Sequence, residues 1–189
     1  MFGLGSLVAS ATPTITASEY VLKPPQLSDF RQWATLRAES EAFLQPFEPL
    51  WPRDDFTPSA FRRRLQRYRR DANGNFGHVW FIKSSDGAVL GGISLTNIRL
   101  GVAQAGTLGY WLGEAYAGQG IMGVCLVAVM NHANSHMGIS RFEAATLKEN
   151  HRSIRLLGRL DFVREGVAER YLRINGMWQD HLLFGRNMR

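Results

Sequence analysis

Residues 108–123 read LGYWLGEAYAGQGIMG, and the run Gly118-Gln119-Gly120-Ile121-Met122-Gly123 spells G-x-G-x-x-G. That spacing is found in dinucleotide sites, where the first glycine follows a buried strand and an acidic residue closes the next strand. Here a polar step, 113–117, separates Gly118 from the strand at 108–112, and the acidic residue at the right distance, Glu143, opens its strand instead of closing it. Too little chain follows Gly123 to complete a doubly wound sheet. What is left is a glycine-rich turn entering a helix over 121–136. Glycines admit a close ligand, and a helix start offers free N–H groups at the positive end of its dipole. The turn is therefore either a phosphate or pyrophosphate cradle or a helix start that binds nothing.

Working outward, a chain of 189 residues with 45% hydrophobic and 20% charged residues has the length and composition of one globular domain. Its single cysteine, Cys125, excludes an intrachain disulfide and suits a reducing compartment. Cys125 lies in the apolar run VCLVAVM and reads as a packing residue. Residues 1–13 read as a disordered leader. They contain no Lys or Arg, and Gly3, Gly5 and Ser6 break their apolar run, so they do not resemble a secretory signal. No stretch reads as a membrane span, and a cytoplasmic location is expected.

The net charge of +6 points to polyanionic surroundings. Much of it sits in RRRLQRYRR, residues 62–70. On a helix, Arg63, Arg67 and Arg70 share one face while Phe61, Leu65 and Tyr68 form the apolar stripe. Those arginines form either a solvated face or a contact with ribosome or rRNA.

The pattern along the chain begins with a strand TITASEYVLK (14–23) and a helix over 27–44 capped by Ser28 or a neighbour. A Pro-rich aromatic link then leads to a second helix that Thr57 caps and Pro58 opens. FGHVWFIKSS and AVLGGISLTNI form a hairpin about Asp86-Gly87, followed by the strand TLGYWLG. After the glycine turn and its helix come the strand RFEAATL (141–147), a short helix from Asn150, and VREGVAERYLRI. Asn175-Gly176 is a two-residue hairpin turn leading into MWQDHLLFGR. The class is α+β, with one domain over 14–189.

LGYWLGEAYAGQGIMG, followed by Asn150-His-Arg-Ser153 and DFVREG (161–166), resembles the GCN5-related N-acetyltransferase (GNAT) superfamily. EGVAERYLRINGMWQDHLLF (165–184) is similar to its Rim-type (RimJ- and RimL-like) members. These acetylate the N-terminal amine of ribosomal proteins, and the similarity runs to the type acting on alanine.

The resemblance implies a mixed, mostly antiparallel central sheet flanked by helices, an α/β/α sandwich. It implies acetyl-CoA as co-substrate, no metal, and a protein N-terminus as partner. The family's pyrophosphate signature, Arg/Gln-x-x-Gly-x-Gly/Ala, falls on Ala117 to Met122. Gly120 matches while Ala117 and Met122 depart, which leaves backbone N–H groups as the grip. The implied cofactor contacts are Tyr110, Trp111, Leu112 and Gly113 on a strand that splays from RFEAATL; Ala117, Gly118, Gln119, Gly120, Ile121, Met122 and Gly123 in the turn; and Asn150 and Ser153.

The chemistry then needs a neutral amine, although an α-amine of pKa about 7.7–8.0 arrives mostly protonated at neutral pH. It also needs a donor for the developing oxyanion, a strand N–H near Leu112 in this family. A thiolate leaves without much help, so positioning dominates. Where many relatives carry a tyrosine acid this chain has Leu157, and Ser153 is the candidate acid or else only part of a helix cap. Alternation places Arg141, Glu143, Ala145 and Leu147 on one strand face and makes Glu143 the candidate base. Glu114, Glu169 and Asp180 are its rivals. His132 and His136 stand one helical turn apart without the glutamate of a zinc motif and read as surface residues. Acetylation of a small amine (antibiotic or polyamine) and non-catalytic acyl-CoA binding on a ribosome or RNA stay open.

Overall fold

A computed structural model describes residues 12–188. The leader expected over 1–13 falls outside them except for Thr12 and Pro13, which are docked. Thr12 Oγ1 lies 3.1 Å from His78 Nδ1, and the Pro13 carbonyl accepts from Trp80 Nε1 at 2.7 Å.

The chain runs β1 (Ile15–Ala17), β2 (Tyr20–Lys23), α1 (Phe30–Glu39), α2 (Glu41–Leu44), α3 (Pro58–Asn73), β3 (His78–Lys83), β4 (Val89–Arg99) and β5 (Ala105–Leu112). It continues with α4 (Ile121–Met137), β6 (Arg141–Thr146), α5 (His151–Arg159), β7 (Val163–Ile174) and β8 (Met177–Asn187). The eight strands lie in the order β1-β2-β3-β4-β5-β6-β8-β7. All neighbours are antiparallel except β5 and β6. This is the mixed sheet expected for a GNAT fold.

Two elements differ from the sequence reading. The expected first strand, 14–23, is a β1–β2 hairpin, because Ser18 adopts φ 56 and turns the chain back on itself. The expected helix over 27–44 is three pieces: a 3-10 turn at Leu27–Asp29, α1, and α2. The cap carboxylate is Asp29, which accepts from the Gln26 N–H at 2.8 Å, rather than Ser28. The helix breaks at Ser40 (φ −101, ψ 13), whose buried hydroxyl accepts the Glu114 N–H at 2.9 Å. That contact is made across the sequence, where no local pattern reports it. Thr57 caps α3 as expected, accepting from the Ala60 N–H at 3.2 Å.

Alternation along the strands builds two cores. Trp80 and Ile82 point to one face, where α4 and α5 bring Cys125, Leu126, Val129 and Leu157. Phe81, between them in sequence, points to the other, where α1 and α3 bring Trp33, Leu36, Phe61 and Leu65. Fully enclosed side chains such as Phe61 and Leu126 each stabilise the fold by about 1.5–3 kcal/mol.

The parallel β5–β6 ladder is short. It pairs Ala105 with Arg141, Gly106 with Phe142 and Thr107 with Glu143, and then stops. Beyond it β6 stays with β8 up to Thr146↔Leu182 while β5 stays with β4 up to Gly91↔Leu112. The two strands therefore part in mid-sheet. The β7–β8 hairpin turns at Asn175 (φ 45) and Gly176 (φ 80), and the Asn175 N–H donates to the Glu48 carbonyl at 2.9 Å. The hairpin tip is thereby tied to the link that follows α2.

Candidate active site

Where β5 and β6 part, a cleft of about 550 Å³ opens, bordered by the glycine turn, α5, the end of α2 and the β7–β8 hairpin. One wall is the edge of β5. The Gly113 N–H donates back to Leu90 O at 2.9 Å. Antiparallel alternation therefore turns the backbone groups of Leu112, Tyr110 and Leu108 away from β4 and toward the cleft. Gly113 itself is spent on β4 and packs against Leu36, so of the four expected strand contacts Tyr110, Trp111 and Leu112 reach the cleft.

The glycine turn closes one end. Gly118 (φ 80) and Gly120 (φ 83) occupy the left-handed region, while a Cβ on either would meet nothing within 4 Å. Conformation, not crowding, demands glycine here, and the space above the backbone is open. α4 starts at Gly120 with no side-chain cap, which leaves its first N–H groups aimed outward in an anion-binding geometry. Ala117, Gly118, Gly120, Ile121, Met122 and Gly123 border the cleft. The side chain of Gln119 instead braces the turn, donating to Ala115 O at 2.8 Å. From α5, Arg152, Arg155 and Arg159 line the same cleft and supply guanidinium forks suited to phosphate oxygens. The turn, the uncapped helix and these arginines together fit a polyphosphate-bearing ligand.

Asn150 caps α5, its Oδ1 accepting from the Ser153 N–H at 3.1 Å. The cap is thus Asn150, and the Ser153 hydroxyl is free for another task. The residue is nearly buried, at 9% exposure, and its Oγ lies 2.6 Å from Tyr110 Oη. Burial pushes the Tyr110 phenol up to about 12, and the hydrogen bond to Ser153 acts in the opposite direction. Tyr110 therefore keeps its proton at neutral pH. Leu157 is enclosed in the core.

The structure does not bring Glu143 to this cleft. It occupies the last paired position of the β5–β6 ladder, where Arg99 and Arg141 hold its carboxylate, and Arg141 in turn bridges Glu165 at 2.5 Å. A carboxylate engaged by two guanidiniums is a structural ion pair rather than a base. Glu114, Glu169 and Asp180 are exposed, and none of them borders the cleft.

The carboxylate that does reach it is Glu48. Arg37 holds it through both guanidinium nitrogens, Nη1–Oε1 at 2.9 Å and Nη2–Oε2 at 2.5 Å, and Trp51 Nε1 donates at 2.8 Å. Arg37 is buried between the rings of Trp51 and Trp111, 4.3 and 4.9 Å away. His181 of β8 also lines the cleft. Neither residue stood out in the sequence, because each is recruited by tertiary contacts that leave no periodic signature.

Elsewhere, Arg63, Arg67 and Arg70 are exposed on α3, with Arg63 paired to Asp54 at 2.6 Å. Arg64 turns inward instead, paired with Asp55 and lying over Trp33. Cys125 is fully buried, and burial pushes its thiol up to about 12, consistent with packing. His132 and His136 stack at 4.5 Å, and among the described residues no group of three or more His, Cys, Asp or Glu converges on a metal position.

Residues 20–163 match the family described as Acetyltransferase (GNAT) domain. The chain is 30% identical over 184 residues to the ribosomal protein uS5-alanine N-acetyltransferase of Escherichia coli (strain K12), covering 97% of this chain and 94% of that one. It is also 30% identical over 164 residues to the probable N-acetyltransferase YjcK of Bacillus subtilis (strain 168), covering 85% and 89%. Among solved structures, the ribosomal-protein-S5-alanine acetyltransferase from Vibrio fischeri matches with a TM-score of 0.84 at 28% identity, over 93% of this chain and 96% of that one.

Proposed function

The chain belongs to the GNAT acetyltransferase family, and from that premise we propose that it acetylates the N-terminal α-amine of a ribosomal protein whose first residue is alanine. Acetyl transfer from acetyl-CoA follows from the family itself. The finer substrate is supported by the likeness to the uS5-alanine enzyme over nearly the whole chain. Ribosomal-protein-serine acetyltransferase of Escherichia coli is also similar, at 27% identity, so alanine against serine is the choice to test. A ribosomal-protein substrate supports a cytoplasmic location for the reaction.

The observation that carries the reading is the parted sheet. It offers an unpaired strand edge running from the glycine cradle to the Tyr110–Ser153 pair. Acetyl-CoA supplies an activated acetyl group in the form of a thioester. The N–H groups at the start of α4 and the α5 arginines hold its phosphates, and the free backbone of Leu108, Tyr110 and Leu112 aligns its arm. The Leu112 N–H donates to the carbonyl oxygen as negative charge develops on it. Either hydroxyl of the Tyr110–Ser153 pair can be the donor; with the protonated Tyr110 donating, the serine proton is left for the departing sulfur. Glu48, fixed by Arg37 and Trp51, marks the acceptor side of the cleft.

The test is steady-state turnover of acetyl-CoA with peptides beginning in Ala or Ser, with a polyamine, and with no amine. The Ala peptide should give the highest kcat/KM. A polyamine turned over faster than either peptide would replace the protein substrate by a small amine.

A further inference from the structure

The cleft has two faces, and chemistry-bearing side chains enter it from both. On β8, Leu182 and Phe184 pack into the α4/α5 core, so alternation directs His181 to the opposite face, the one α1 and α3 cover. Tyr110 and Ser153 approach from the α4/α5 face, where the glycine cradle lies. His181 thus stands across the parted sheet from the sulfur-side pair, on the side an acceptor amine must use.

The ring of His181 is held. The residue is only 3% exposed, Tyr171 packs edge-on at 5.7 Å, and Nδ1 lies 2.9 Å from the Gln179 carbonyl. A carbonyl can only accept, so Nδ1 carries the hydrogen and Nε2 keeps its lone pair. Among the described residues no donor engages Nε2. The charged groups that border the cleft with it are Glu48 from the α2 link, Arg173 from β7 and the three α5 arginines. Glu48 already accepts from Arg37 and Trp51. The free Nε2 is the unengaged acceptor among these groups.

We propose that His181 is the general base that takes the proton from the attacking amine. The proposal rests on the acetyl-transfer reading and deepens it. Nε2 first takes the proton that keeps the arriving amine charged; as the neutral nitrogen then forms its bond to the acetyl carbon and the C–S bond breaks, the nitrogen loses its second proton to solvent. The Ser153–Tyr110 pair supplies a proton to the sulfur. His181 then gives its proton to solvent and the pair regains one from water, so an ammonium and a thioester give one amide, one thiol and one released proton.

His181→Asn keeps a donor for the Gln179 carbonyl and removes Nε2. The expected result is a fall in kcat of about 10²-fold or more with acetyl-CoA affinity unchanged. The deficit should narrow between about pH 6.5 and about pH 9, because an α-amine of pKa about 7.7–8.0 then arrives neutral without help. A deficit constant with pH, or none, overturns the proposal. A second measurement does not depend on turnover or on a variant that folds. In the wild-type protein, long-range proton–nitrogen correlation of the imidazole should show Nδ1 protonated and Nε2 bare, and the opposite tautomer overturns the proposal. Failure of the substrate reading looks different: the wild-type chain would prefer a small amine, and the His181→Asn ratio would be read on that amine.

Discussion

At the scale of single residues, the decisive assignments are those where one side chain could serve either shape or chemistry. Asn150 caps α5 and Ser153 does not, so the two separate cleanly. Asn150→Ala should cost about 0.5–2 kcal/mol of stability in thermal or denaturant unfolding. Ser153→Ala removes the hydrogen-bond partner of the Tyr110 hydroxyl and should cost about 1 kcal/mol of stability, but it should also lower the acetyl-transfer rate, and lower it more than acetyl-CoA affinity. A stability loss with an intact rate would return Ser153 to a packing role. Gly120 offers a second separation. Its φ of 83 makes any side chain there cost about 1–2 kcal/mol, even though the space beyond is open. Gly120→Asp adds a negative charge at the cradle as well. Calorimetry should show acetyl-CoA binding largely lost while circular dichroism is kept, and unchanged affinity in the folded variant would remove the phosphates from this turn.

At the scale of elements, much of the order of strands and helices was legible because it is written in local pattern. Thr57-Pro58, Asp86-Gly87, Asn175-Gly176 and the apolar run of α4 each announce a boundary through backbone chemistry. The parting of β5 from RFEAATL was legible only through family resemblance. The point at which the ladder stops was not legible, since it depends on which strand β6 follows. Alternation correctly grouped Arg141, Glu143 and Ala145 on one face, yet it could not say that Glu143 sits on the paired side of the parting and Ala145 on the open side. The same blindness to long-range contact hid the Ser40–Glu114 tie that divides the first helix, and the recruitment of Glu48 by Arg37. The consequence for Glu143 is measurable. Its partners are partly solvated, so Glu143→Gln should cost no more than about 1 kcal/mol of stability and leave kcat nearly unchanged. A large fall in kcat, with the melting temperature kept, would restore it as the base.

At the scale of the whole molecule, the net charge of +6 bears on encounter rather than on chemistry. Ribosomal proteins are themselves basic, so on the proposed substrate the chain would gain no attraction toward a free one and would be drawn instead to rRNA-bearing particles. Arg63, Arg67 and Arg70 are exposed on α3 and do not border the cleft. Replacing all three with Gln should leave turnover of a short Ala-initiated peptide almost unchanged and reduce acetylation of the same N-terminus within a pre-ribosomal particle. The difference should shrink as salt is raised. Equal loss on both substrates would put the helix at the cleft, and no loss on either would make it a solvated face.

The strand order β6-β8-β7 carries a consequence for how the chain is made. β8 is synthesised after β7, yet it lies between β7 and β6 and is the sole partner of each on that side. Until Met177 to Asn187 are in place, β6 has an open edge, β7 has no strand partner among the described residues, and the cleft lacks His181. Everything from β1 to α5, including the glycine turn and the Tyr110–Ser153 pair, precedes β8 in the chain and can settle ahead of it. A chain truncated after Ile174 would thus hold the cofactor half of its cleft without the strand that carries His181, and the full chain completes the cleft in one late event, the threading of a single strand into a gap that two earlier ones leave for it.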